Sequence, residues 1–151
     1  MPEQATIKRA RRDKRQGKAP TTQAGEFVRE EMHHIREGKH GASSTKQVIA
    51  IGLSKARRAG VTLGPPPAGA KATTKRSARS AAKAGRSRTT RVAPKRSRAT
   101  TRALRREGHR AASRKALARQ ARAVTRRRSA ASRRAAARRA ARTRQRRRAA
   151  A

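Results

Sequence analysis

The sequence predicts a mainly α protein, a small helical hairpin head followed by a long basic tail that stays disordered until nucleic acid makes it helical. Three observations carry that expectation. Large apolar side chains are scarce: Leu, Ile, Val and Phe number 14 of 151 residues, about 9%, against the ~20% below which a highly charged chain lacks a core. Alanine supplies 34 residues, and 45 Lys and Arg against 7 Asp and Glu give a net charge of +38. Finally, runs of good helix formers stop at Gly17, Gly38 and Gly60, and the chain then meets Gly64-Pro65-Pro66-Pro67.

Charge and apolar side chains both divide at this proline joint. Residues 1–64 hold 14 basic and 6 acidic side chains, net +8, whereas residues 65–151 hold 31 basic residues and one acid, Glu107, net +30. Beyond the joint the only large apolar residues are Val92, Leu104, Leu117 and Val124. The expected organisation is a helical head over 1–63, a polyproline-II-favouring linker over 64–70 and a cationic tail over 71–151.

Within the head, Gln4 to Arg15 are good helix formers with one large apolar residue, Ile7, so a frayed, basic surface helix is expected. A second helix, over about 22–37, starts at Thr21 or Thr22, whose hydroxyls suit an N-cap. It carries Phe27 and a stripe of Val28, Met32 and Ile35 at i, i+4, i+7. Glu26, Glu30 and Glu31 lie toward its positive end, and Gly38 stops it.

The third helix, over about 44–59, opens on Ser44-Thr45-Lys46-Gln47, a capping box. Val48, Ile49, Ile51 and Leu53 give its apolar side, and Gly60 ends it. Gly52 costs about 1 kcal/mol relative to alanine inside a helix; it either allows close approach of the second helix, the favoured reading, or is simply tolerated. Val61 or Leu63 is placed to fold back on Ile49, Leu53 or Ala56. A hairpin of about forty residues is marginal alone, so a homodimer through the head or a bound polyanion is expected to complete it.

In the tail, 26 of the 31 cations are arginine. Alanine and arginine favour a helix, while like charges at i, i+4, such as Arg134–Arg138 and Arg138–Arg142, each cost a few tenths of a kcal/mol. Repulsion is expected to win without a partner, giving a coil that gains helix on nucleic acid. As a helix the 87-residue tail spans ~130 Å, a length over which duplex DNA carries roughly 75 phosphates. Ten contacts alone give log affinity against log salt a slope near −9, with about 0.9 per contact.

The expected phosphate-binding residues are Lys46, Lys55, Arg57 and Arg58 in the head. In the tail they are Lys75, Arg76, Arg79, Arg86, Arg88, Lys95, Arg96, Arg98, Arg105, Arg106, Arg126, Arg127, Arg128, Arg133, Arg134, Arg138, Arg139, Arg146, Arg147 and Arg148. Sequence readout has little support. Phe27 is the single aromatic residue, so stacking platforms are absent. A helix-turn-helix reading of the hairpin meets a six-residue connection, Gly38 to Ser43, where three to four residues are usual.

Other classes are excluded in turn. Without cysteine there are no disulfides, thiol nucleophiles or cysteine-ligated zinc. No early apolar run marks a secretory signal and no segment is apolar enough to span a membrane, so a cytoplasmic, nucleoid location is expected. Ser43 and Ser44 lie near His40, but no carboxylate is fixed to orient the imidazole, and no phosphate-cradling glycine loop occurs. No enzyme activity, cofactor or small-molecule substrate is expected.

Glu30, His33, His34 and Glu37 stand at i, i+3, i+4, i+7 with His40 nearby, donors that suit zinc, iron or manganese. A solvated helix face with Glu30–His34 and His33–Glu37 pairs explains them more simply, and no metal is expected. Ser77, Ser97, Ser113 and Ser129, beside arginines, read either as phosphorylation sites that would loosen binding or as charge spacers.

The stretches Thr22-Gln23-Ala24-Gly25-Glu26-Phe27-Val28-Arg29-Glu30-Glu31, His34-Ile35-Arg36-Glu37-Gly38-Lys39-His40-Gly41 and Ser44-Thr45-Lys46-Gln47-Val48-Ile49-Ala50-Ile51-Gly52-Leu53-Ser54-Lys55-Ala56 resemble a small family of basic bacterial proteins. Its members pair this core with a basic tail and are often labelled DNA-binding. The tail resembles the basic tails of bacterial histone H1-like proteins. Both resemblances imply what the charge implies: a DNA-binding, nucleoid-associated, histone-like protein that neutralises and bridges phosphates without sequence preference. The alternative is an RNA-binding or ribosome-associated structural protein.

Overall fold

Helix-forming segments rich in alanine, arginine and glutamate, punctuated by glycine and proline, build the whole chain. The structure, a computed structural model, describes residues 2–87 and 93–149. These form α1 (Gln4–Arg15), α2 (Pro20–Arg36), α3 (Thr45–Arg58), α4 (Ala72–Arg86), α5 (Pro94–Arg105), α6 (Arg114–Arg126) and α7 (Ala130–Ala149). A 3-10 turn, Arg110–Ala112, lies between α5 and α6. There are two units, Met1–Ser113 and Arg114–Ala151.

Local chemistry sets the helix ends. Gly17, Gly38 and Gly60 follow α1, α2 and α3 with φ of 68°, 74° and 87°. After them, the amides of Lys18, Lys39 and Val61 bond the carbonyls of Asp13, His34 and Ala56 at 2.9–3.0 Å, closing three Schellman motifs. At the start of α3, Ser44 Oγ accepts from the Gln47 amide at 3.2 Å. Gln47 Oε1 returns the bond one residue earlier than a capping box does, accepting from Ser43 N and Oγ, both at 2.7 Å. The threonine cap expected for α2 is not used: Pro20 opens the helix and Ala19 caps it without a side-chain bond. Proline's fixed φ and missing N–H suit that first position.

In the first unit α1 packs on α2, α2 on α3 and α3 on α4. A β-carbon added to Gly52 would lie 2.6 Å from Val28 Cα, so α2 and α3 meet backbone to backbone. One apolar cluster joins Ala10, Ala24, Phe27 and Ala56, with Ile7, Leu53, Ala59, Val61 and Leu63 against it. A second joins Ile35, Ala42, Val48, Ala111 and Ala112, with Met32 beside it. The frayed α1 of the sequence reading is corrected: Thr6, Ala10 and Asp13, at i, i+4, i+7, are buried. Arg9 Nε bonds Glu26 Oε2 at 2.7 Å and Lys18 Nζ bonds Asp13 Oδ1 at 2.7 Å. This face is small and polar, so a search for large apolar residues passes over it.

A larger correction concerns the tail. The expected small head with a long, disordered basic tail is replaced by an all-helical chain, 74% helical. Packing on α2 and α3 continues beyond residue 63. Ala81 of α4 is buried against α3 at 2% exposure, and a β-carbon on Gly85 would lie 2.0 Å from the Arg57 carbonyl oxygen. Farther on, Gly41 N donates to Leu104 O at 2.9 Å and Ala42 N to Gly108 O at 3.1 Å. Thr45 Oγ1 bonds Ala111 O at 2.7 Å, and Arg36 Nε bonds Ala112 O at 2.9 Å. Residues 104–112 therefore cover the α2–α3 connection. Alanine and main chain make these contacts, which is why a count of large side chains missed them.

In the second unit α6 and α7 are helices of alanine and arginine. Ser129 caps α7, its Oγ accepting from Ser132 N at 3.2 Å. Nine arginines occur within α7, so like-charge pairs each cost a few tenths of a kcal/mol; alanine's propensity outweighs them.

Far-UV circular dichroism of the nucleic-acid-free protein is expected to report about three quarters helix; a coil spectrum that becomes helical only with duplex would restore the disordered tail. Gly52→Ala is expected to cost about 1–3 kcal/mol by overpacking on Val28. Gly25→Ala, on the exposed side of α2 with nothing within 4 Å of the added carbon, is expected to gain about 0.5–1 kcal/mol. Urea denaturation distinguishes the two signs.

Candidate functional site

Helical register gathers the cations of the former tail into stripes. On α4, Arg76, Arg79, Lys83 and Arg86 recur at i, i+3, i+7, i+10 and are exposed, turned away from buried Ala81. On α5, Lys95, Arg98, Arg102 and Arg105 repeat that spacing and are exposed. On α6, Lys115, Arg119, Arg122 and Arg126 stand at i, i+4, i+7, i+11 and are exposed, opposite Leu117, Ala121 and Val124. On α7 the arginines surround the helix.

A stripe of four covers about 16 Å, a length over which a duplex would carry about nine phosphates. Among the described residues every ion pair lies between Glu3 and Lys55, and the cations of α4 to α7 have no carboxylate partner.

Most of the phosphate-binding residues expected from the sequence lie at the surface. Lys46, Arg58, Arg96, Arg106, Arg127, Arg128, Arg133, Arg134, Arg138, Arg139, Arg146 and Arg148 are exposed. Arg57 is half-buried and donates to Gly64 O at 3.1 Å, and Lys75 donates to Ala68 O at 2.7 Å. Arg88 lies outside the described residues, and Arg147 is described only in its backbone. The sequence reading passed over Lys83, Arg102, Lys115, Arg119 and Arg122; the 3–4 residue spacing with their neighbours is the signal that finds them.

Lys55 is placed differently from the exposed cations. It points inward, its Nζ bonded to Glu31 Oε1 and 3.5 Å from Glu30 Oε1. The solvated Glu/His face expected on α2 is corrected: Glu30 is 4% and Glu31 1% exposed. His34 Nε2 contacts Glu3 Oε1 at 2.9 Å, and its Nδ1 faces Glu31 Oε1 at 3.7 Å. His40 Nε2 faces Glu31 Oε2 at 3.5 Å, and the two rings meet edge to face at 6.1 Å. The cluster therefore uses Glu31 and leaves His33 and Glu37 exposed outside it.

Around its rim, the His34 hydrogen bond holds the Glu3 carboxyl below its usual range. Lys39 does the same for Glu37, and the Glu37 carboxylate in turn raises Lys39. Comparison with protein-family models, curated proteins and solved structures finds no match.

Lys55→Met is expected to destabilise the protein by about 3–5 kcal/mol, because it strands two buried carboxylates. The salt dependence of any nucleic-acid binding should stay unchanged, which equilibrium denaturation beside a binding titration would show. Because Glu3 ionises more readily in the folded chain, its tether contributes above the ordinary carboxylate pKa. That contribution fades as pH falls through the lowered value; Glu3→Gln should flatten the acid limb of a stability–pH curve.

Proposed function

We propose that this protein binds duplex DNA without reading its sequence, neutralising and bridging phosphates in the manner of a nucleoid-associated, histone-like protein. The observation that carries the reading is the composition and exposure of the second unit. Residues 114–151 hold 16 cations and no acid, and the described cations among them are exposed without a carboxylate partner. Repulsion within such helices is relieved by a dense line of anions. Duplex DNA supplies one charge per ~1.7 Å and repays contact with released counterions.

The preference for arginine fits this partner, since a guanidinium fork meets two phosphate oxygens at once. Sequence-independent binding follows from what the surface lacks. Phe27 is wholly buried, so no Phe, Tyr or Trp ring is offered for stacking on bases. Among the described residues no helix is long and apolar enough to cross a membrane.

Anisotropy titrations of two unrelated duplexes across a salt series test this. With half of the second unit's cations engaged, the slope of log affinity against log salt is expected near −7 at about 0.9 per contact, the same for both duplexes. Replacing Arg138, Arg142 and Arg146 with glutamine should flatten it by about 3. A tenfold preference for one duplex, or binding indifferent to salt, overturns the proposal. Structured RNA that wins at equal phosphate moves the partner from DNA to RNA.

A further inference from the structure

We propose that Glu31, His34 and His40 form a binding site for one divalent metal ion of the zinc class. One carboxylate oxygen and one nitrogen from each imidazole lie within 4.8 Å of one another. Glu31 and His34 are one helical turn apart on α2, and His40 comes from the connection to α3. The site would therefore clamp the loop onto the helix.

The hydrogen bonds on the far sides of the two rings decide what faces inward. His40 Nδ1 lies 3.1 Å from the Gly41 carbonyl, an acceptor only, so Nδ1–H donates there and Nε2 presents its lone pair to Glu31. His34 Nε2 lies 2.9 Å from Glu3 Oε1; an ionised carboxylate also only accepts, so His34 Nδ1 presents its lone pair to Glu31. Carboxylate and carbonyl acceptors behind a histidine are the usual supports of a metal-ligating imidazole.

Two nitrogen lone pairs thus face a carboxylate at 3.7 and 3.5 Å. Such contacts repel unless a positive charge lies between them. These separations exceed the 2.7–3.2 Å of an N–H···O bond, so a shared proton fits them poorly. They run to Oε1 and Oε2 of Glu31 respectively, each near the ~3.3 Å edge of a tetrahedron with bonds of about 2.0–2.1 Å, and one oxygen and both nitrogens lie within 4.8 Å of one another.

Charge gives a second, independent indication. The adjoining Glu30, 4% exposed, keeps Oε2 buried without a hydrogen-bond partner among the described residues. Lys55 is one cation for two buried carboxylates, so with both imidazoles neutral the cluster's own side chains leave one negative charge uncompensated. Two imidazoles and one carboxylate form a donor set that holds zinc and leaves a fourth position for water.

The test is titration of the full chain, freed of metal by chelation and of nucleic acid by high salt, with Co²⁺ followed by Zn²⁺ competition. One Co²⁺ per chain is expected, with the visible absorption of four-coordinate cobalt, displaced by Zn²⁺. His40→Gln should abolish that band, whereas His33→Gln, exposed and outside the trio, should leave it. Glu3→Gln, at the half-exposed far side of His34, should weaken binding 10–100-fold without threatening the fold. Absence of stoichiometric binding by the wild-type chain overturns the proposal whatever the variants do. So does equal weakening by His33→Gln and His40→Gln, or Glu3→Gln binding as tightly as wild type.

Discussion

A chain with 14 Leu, Ile, Val and Phe residues in 151 has few large side chains to bury and must also bring backbones together, and the structure depends on that constraint. Gly52 lets α3 rest on the main chain of Val28, Gly85 lets α4 rest on the Arg57 carbonyl, and Gly41 admits the Glu107 carbonyl. Between these contacts alanine does what leucine does in richer cores: Ala24, Ala56 and Ala112 are fully buried. Close approach recovers through dispersion and main-chain hydrogen bonds part of what larger side chains gain through area.

The same economy segregates charge. Six of the seven acids lie before residue 64, and there they pair with Arg9, Lys18, Arg29, Lys39 and Lys55. The head is thus nearly balanced where it packs. Most cations of the later helices stay exposed, and among the described residues none pairs with a carboxylate, Glu107 being the single acid beyond residue 64. A fold with so few acids separates a head whose carboxylates pair with its own cations from later helices whose described cations have no carboxylate partner.

The buried Glu30–Glu31–Lys55–His34–His40 cluster stands apart from that surface. It ties α2, α3 and the connecting loop by directional contacts where apolar side chains are few. Its polar groups are costly to bury unless each finds a partner, so it specifies the arrangement of the three segments.

From the residues alone, the helices of the head were legible to within about two residues, because glycines at αL positions, the Ser44 cap and the Val28–Ile35 stripe act locally. Net charge and the absence of stacking residues also depend on composition alone, and they already pointed toward phosphate. Tertiary structure alone decided that the tail folds and where residues 104–112 dock. On the side of residues 104–112 those contacts are made by carbonyl oxygens and alanine, which a pattern of large side chains does not record. It also decided the direction of Lys55, which by spacing belonged with Arg57 and Arg58 at a cationic helix end. Packing set two carboxylates in its reach, and at low dielectric a buried charge goes to its counter-charge. Likewise, helical periodicity put Glu30, His33, His34 and Glu37 on one solvated face. The loop carrying His40 instead drew Glu31 and His34 inward, because residues far apart along the chain share a cluster only where the fold brings them.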